Sequence, residues 1–140
     1  MQVLAEGYNF RITLEGSLVR CVVWATGDLD AARGATGAEE MVRTLESAAA
    51  RGDVRGTIFD IQGAPPVAGP RTLAALTRML AEHERVGKRI AVQIGPSPSQ
   101  RLQMTRVARD AAPRTGRIVS STNEAMTWLA AVRSSRPPAG

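Results

Sequence analysis

The chain has 140 residues, which suits one domain able to bury a core without metal or disulfide staples. Its one cysteine, Cys21, cannot form an internal disulfide. No basic-then-apolar leader opens the chain and no apolar run approaches the roughly 20 residues of a membrane-spanning helix, so a protein of the reducing cytosol is expected. The net charge of +5 divides unevenly, −3 over residues 1–70 and +8 over residues 71–140. Arginine nonetheless outnumbers lysine 17 to 1 and Phe, Tyr and Trp total five, which argues for a solvated basic face and against a nucleic-acid partner.

Residues 1–8 have no clear period and read as a lead-in or an edge segment. Phe10, Ile12 and Leu14 alternate with Arg11, Thr13 and Glu15, the period of a half-buried strand. Gly16 and Ser17 turn the chain, and residues 18–25 form a second strand, giving an antiparallel hairpin. Cys21 and Trp24 read as packing groups within it. A polar loop leads to Thr36, which with Glu39 carries a capping-box signature for a first helix reaching to about Gly52. Residues 54–61 are nearly continuously apolar, as expected of a central strand covered on both faces.

The stretch TIFDIQGAPPVAGPRTL, residues 57–73, joins that strand through a stiff Gly/Pro loop to a helix that starts near Pro70 and runs to about Val86. Loop backbone and helix N–H groups converge at such a junction, which makes it the candidate site. His83, the single histidine, falls at the edge of the helix stripe and reads as a half-buried surface residue. Residues 89–94 form a further strand, GPSPSQ opens a helix with Ser97 and Ser99 as turn and cap residues, and residues 116–120 a short last strand. Ser121 and Glu124 form a second capping box, opening a helix that lays Trp128 on the sheet. The end of the chain, residues 134–140, lacks packing residues and is expected to be disordered.

Several chemistries lack their working groups. The loop superficially resembles a phosphate-binding loop, but its glycine spacing is too long, it has no lysine, and Pro65, Pro66 and Pro70 remove N–H donors. No nucleophile elbow, paired cysteine ligands or histidine dyad stands in the sequence, so no enzyme activity, cofactor or metal is expected. Asp28 and Asp30 read as turn formers.

Three stretches, in order, resemble the STAS domain family (sulfate transporter and anti-sigma-factor antagonist). They are GDLD at residues 27–30, FDIQG at 59–63, and VGKRIAVQIGPSPSQRL at 86–102, followed by IVSSTNEAMTWL as a similar closing strand and helix. The resemblance covers about residues 9–133. It implies an α/β fold with a small mixed sheet of about five strands, an N-terminal hairpin, then alternating strands and helices packed mainly on one face. It also implies a non-enzymatic interaction module of bacterial intracellular signalling or a scaffold assembly, whose partner is a regulatory kinase-like or scaffold protein; a homodimer stays open. In the antagonist branch a loop Ser or Thr is phosphorylated. Counted from Asp60, that motif falls on Ala68, Gly69, Pro70 and Arg71, none of which carries a hydroxyl, so Thr72 is the remaining candidate phosphosite. The implied partner-binding set is Asp60, Gly63, Ala68, Gly69, Pro70, Arg71 and Thr72. The alternative is a small-ligand or lipid-binding carrier of similar fold, with the loop covering an apolar cleft.

Overall fold

A computed structural model describes residues 1–26 and 31–134. A six-stranded sheet holds its strands in sequence order: β1 (Gln2–Glu6), β2 (Phe10–Glu15), β3 (Leu18–Trp24), β4 (Gly56–Gly63), β5 (Arg89–Gln93) and β6 (Gly116–Val119). The first three pair antiparallel and β3 to β6 pair parallel, so the sheet is mixed, as expected. Helices α1 (Ala31–Ala49), α2 (Pro70–Val86), α3 (Pro98–Ala111) and α4 (Thr122–Ser134) alternate with the parallel strands and close the domain.

The topology dictates the layers. Each parallel step moves one strand in the same direction, and right-handed crossovers taken in one direction put their helices on the same face. The main core accordingly joins Ile12, Val19, Cys21, Phe59 and Val92 of the sheet to Met41 and Leu45 of α1, Leu76 and Leu80 of α2, and Met104 of α3. Only α4 packs on the opposite face, where Ala125 and Leu129 meet Ile58, Ala91 and Val119. β4 thus has apolar side chains on both faces, the reason its sequence is nearly unbroken in apolar character.

Local chemistry explains most element ends. Gly16, at φ 64°, opens the β2–β3 turn, and Leu14 and Val19 face each other across the hairpin. Gly87, at φ 72°, ends α2 in the left-handed conformation, with its N–H on the Glu84 carbonyl. Glu124 donates its N–H to the Ser121 hydroxyl at 3.1 Å, so the expected Ser121 cap is present, while its carboxylate accepts from the Ser120 N–H at 3.1 Å, one residue before the N-cap N–H of a regular capping box.

One open reading is resolved in favour of an edge segment, and three expectations are corrected. The segment before Tyr8 is a sixth strand on the sheet edge, its pairing with β2 interrupted by a bulge between Val3 and Ala5 that hides any alternation. α1 starts at Ala31, so Thr36 lies inside the helix, and Glu39 pairs with Arg78 of α2 at 2.9 Å. Ala31 and Ala32 are strong helix formers and carry the helix back beyond the capping signature. His83 is fully buried: its Nε2 lies 2.9 Å from the Thr57 hydroxyl of β4 and its Nδ1 2.9 Å from the Met79 carbonyl. Trp24 is 38% exposed at the end of β3, where it is no core residue. The GDLD stretch, and the expected tail after Ser134, lie outside the described residues.

Candidate functional site

The junction between β4 and α2 is built from both of its ends. Ala64 donates its N–H to the Ile61 carbonyl at 3.1 Å, turning the chain out of the sheet. Pro65, Pro66 and Val67 are exposed, Val67 at 56%. Gly69 is the N-cap of α2 in extended backbone (φ −69°, ψ 169°), Pro70 follows in the first turn, and the Leu73 N–H returns to the Gly69 carbonyl at 2.8 Å. No side chain caps this helix start.

The loop is held by two glutamines of α3. Gln103 clamps Ala68 by both peptide groups, its Oε1 accepting from the Ala68 N–H at 2.9 Å and its Nε2 donating to the Ala68 carbonyl at 3.2 Å. Gln100, buried, donates from Nε2 to the Ile61 carbonyl at 2.9 Å and accepts the Gly95 N–H on Oε1 at 2.8 Å, tying the ends of β4 and β5 together. The Ile61 carbonyl is buried and the Gly95 N–H half-buried, positions where an unpaired backbone group is expensive. Neither glutamine was singled out in the sequence. The available signal was Gln100 itself, a polar side chain one helical step before Met104 on the apolar stripe of α3.

Under this roof the described residues leave a cavity of about 150 Å³. Its buried wall is Val23, Ala38, Met41, Phe59, Leu76 and Met104, and Pro66, Val67 and Gly69 form its exposed rim. Thr72 and Asn9 contribute half-exposed polar side chains.

The sequence-derived set separates. Ala68, Gly69, Pro70, Arg71 and Thr72 come together on the roof and at the helix start, with Arg71 exposed and Thr72 half-buried against the cavity. Gly63 sits just before, at the end of β4, where its carbonyl accepts the Ala25 N–H at 2.8 Å. Asp60 does not join them. It lies between Phe59 and Ile61, which face α1 to α3, and so points to the opposite side of the sheet. There it pairs with Arg20 at 3.7 Å and accepts the Gln62 N–H at 3.1 Å.

The remaining titratable groups do structural work. Burial, reinforced by the Asp60 charge, pushes the Cys21 thiol well up, so it is an inert core group. Burial pushes the Glu84 carboxyl up, but hydrogen bonds from Arg114, the Thr115 hydroxyl and the two backbone N–H groups overcome it and hold the acid at about 2. The basic half is partly absorbed in the fold: Arg89 and Arg117 lie 3.9 and 4.5 Å from the Trp128 ring centroid, and Arg114 is held by Glu84 at 2.7 Å. Among the described residues no group of three or more His, Cys, Asp or Glu side chains is placed to hold a metal ion. No helix among them is long and apolar enough to cross a membrane.

Fold and site define an open α/β sheet with a clamped loop over an apolar cavity at the C-terminal end of its central strand. No family model, no curated protein and no solved structure matches the chain.

Proposed function

We propose that this domain is a non-enzymatic protein-interaction module of the kind its resemblance to the STAS family implies, acting in cytoplasmic signalling or a scaffold assembly. Its docking surface is the roof loop and the start of α2: Val67, Ala68, Gly69, Pro70 and Arg71. The observation that carries this reading is the two-point clamp of Ala68 by Gln103, which holds the exposed Val67 in place beforehand. A loop already fixed in one shape loses less entropy on docking than a mobile one. The matching partner surface is an apolar socket for Val67 beside a carboxylate for the exposed Arg71. Asp60 belongs to the other face of the sheet and is left out of this surface.

The switch used by the antagonist branch is absent from this reading, because residues 68–71 carry no hydroxyl and Thr72 turns partly toward the cavity. A stoichiometric phosphate on Thr72 in protein from the source cells would count against it. The docking surface is tested by placing a photo-crosslinking side chain at Val67 in those cells, identifying the captured protein, and titrating that purified partner. Val67→Asp and Arg71→Glu should each weaken the complex at least tenfold while leaving the unfolding midpoint within about 0.5 kcal/mol of wild type. Undiminished binding by both variants overturns the proposal.

A further inference from the structure

We propose that the cavity beneath the roof loop is a binding site for a small apolar molecule, of the size of one aromatic ring or a short branched alkyl group. The cavity shares Val67, Ala68 and Gly69 with the docking surface, while Pro70 and Arg71 lie outside it. The volume of about 150 Å³ sets the size of the guest. An apolar cavity of about that volume is known to admit benzene, whereas drug-sized or lipid ligands need roughly 300 Å³ or more. The carrier alternative implied by the fold resemblance is thereby narrowed from a lipid to a much smaller molecule.

The chemistry of the wall decides between that guest and water. A buried water needs two or more polar partners. The one polar side chain buried in this wall, Gln100, has its amide committed at both ends, to Ile61 and Gly95. Gln103 is committed likewise to Ala68. What remains is Met41, Phe59, Leu76 and Met104, with Met side chains able to repack around different outlines. Thr72 and Asn9 leave room for one polar atom on the guest, directed outward. The roof does not collapse onto the void because Gln103 holds it open from the α3 side.

The test uses the full chain with methyl-labelled methionine and benzene as the probe. Of the five methionines, Met41 and Met104 line the cavity, while Met1 and Met126 are exposed elsewhere. Benzene should shift the Met41 and Met104 methyl resonances saturably and leave that of Met1 in place. Ala38→Leu and, separately, Ala64→Leu put a side chain into the space; whichever variant keeps a dispersed methyl spectrum should bind benzene at least tenfold more weakly. No saturable shift up to the aqueous solubility of benzene overturns the proposal. So does undiminished binding in a folded filled variant. Arg71→Glu, which reverses the docking charge at a residue outside the cavity wall and rim, should leave benzene binding intact, so that either proposal can fail without the other.

Discussion

The two junctions that lead from β4 and β5 into their helices look alike in sequence, each a turn ending in a proline at the helix start, yet they are held in opposite ways. At β5–α3 the Ser97 hydroxyl accepts the Gln100 N–H at 3.3 Å, and the junction satisfies itself. At β4–α2 the N-cap is Gly69, with no side-chain cap, and the longer loop borrows its hydrogen bonds from Gln100 and Gln103 of α3. The self-contained junction is therefore the support of the other: Ser97 fixes the first turn of α3, and that turn fixes the roof. A loop held by its neighbour can leave its own helix start without a side-chain cap.

The sharpest way to break this comparison is to remove the tie. Gln100→Leu leaves the Gly95 N–H without its partner and the Ile61 carbonyl with the Ala64 N–H alone, and an unmet group shielded from water costs roughly 1–3 kcal/mol. A loss of about 2 kcal/mol in urea unfolding is expected, a fall in Tm of about 6 °C, with faster amide exchange at Ala64 and Gly95. If exchange at Ala64 and Gly95 does not change, the ends of β4 and β5 are not tied through α3.

The dependence of one junction on the other could not be read along the chain, because Gln103 lies 35 residues from Ala68. What could be read is whatever repeats locally. The hairpin follows from its period-two alternation and the Gly16 turn, the focal loop from Pro65, Pro66 and Pro70, and the start of α4 from the spacing of Ser121 and Glu124. The edge strand β1 was ambiguous because its bulge destroys the alternation and its pairing exists only once β2 is in place. His83 was misplaced for a similar reason: its helix position is marginal, and the Thr57 hydroxyl that makes burial tolerable comes from a different strand.

That pair serves as a control at the far end of α2. Burial lowers the His83 pKa, against the opposing Met79 carbonyl, so the folded protein keeps the ring neutral while the unfolded chain takes up a proton below its ordinary 6.5. The contribution is complete above pH 6.5 and falls away as the pH drops below it, by up to about 1.4 kcal/mol per pH unit. Urea midpoints between pH 7.5 and 5.5 should show this decline. His83→Leu should flatten it, since the protein has no other histidine. Amide protection at Ala68 should follow only the global loss; selective opening of the roof over this range would tie the two ends of α2 together and break the comparison.

Ser97→Ala should cost less, about 1 kcal/mol for the lost cap. Its diagnostic effect is indirect. If Ser97 supports the roof through α3, Ala68 loses protection although Ser97 does not touch it, and the cost is non-additive with Gln103→Ala in a double-mutant cycle. Additive costs would make the junctions independent.

The smallest effect carries the most about function. Gly69 already has the extended backbone of an N-cap residue, and a Cβ there would meet nothing within 4 Å. Gly69→Ser should therefore give α2 the cap that α3 already has, raising stability by a few tenths of a kcal/mol. A gain would show that the fold tolerates a capped start and that the bare one is dispensable for stability. A simultaneous loss of partner binding would then assign the open helix end to docking, since the new hydroxyl occupies the N–H groups that Gly69 leaves facing outward. A loss of stability would instead mean that the Gln103 clamp fixes the loop too firmly for a serine to reach its N–H. The two junctions would then differ in how tightly their backbone is held, more than in the residue that caps them.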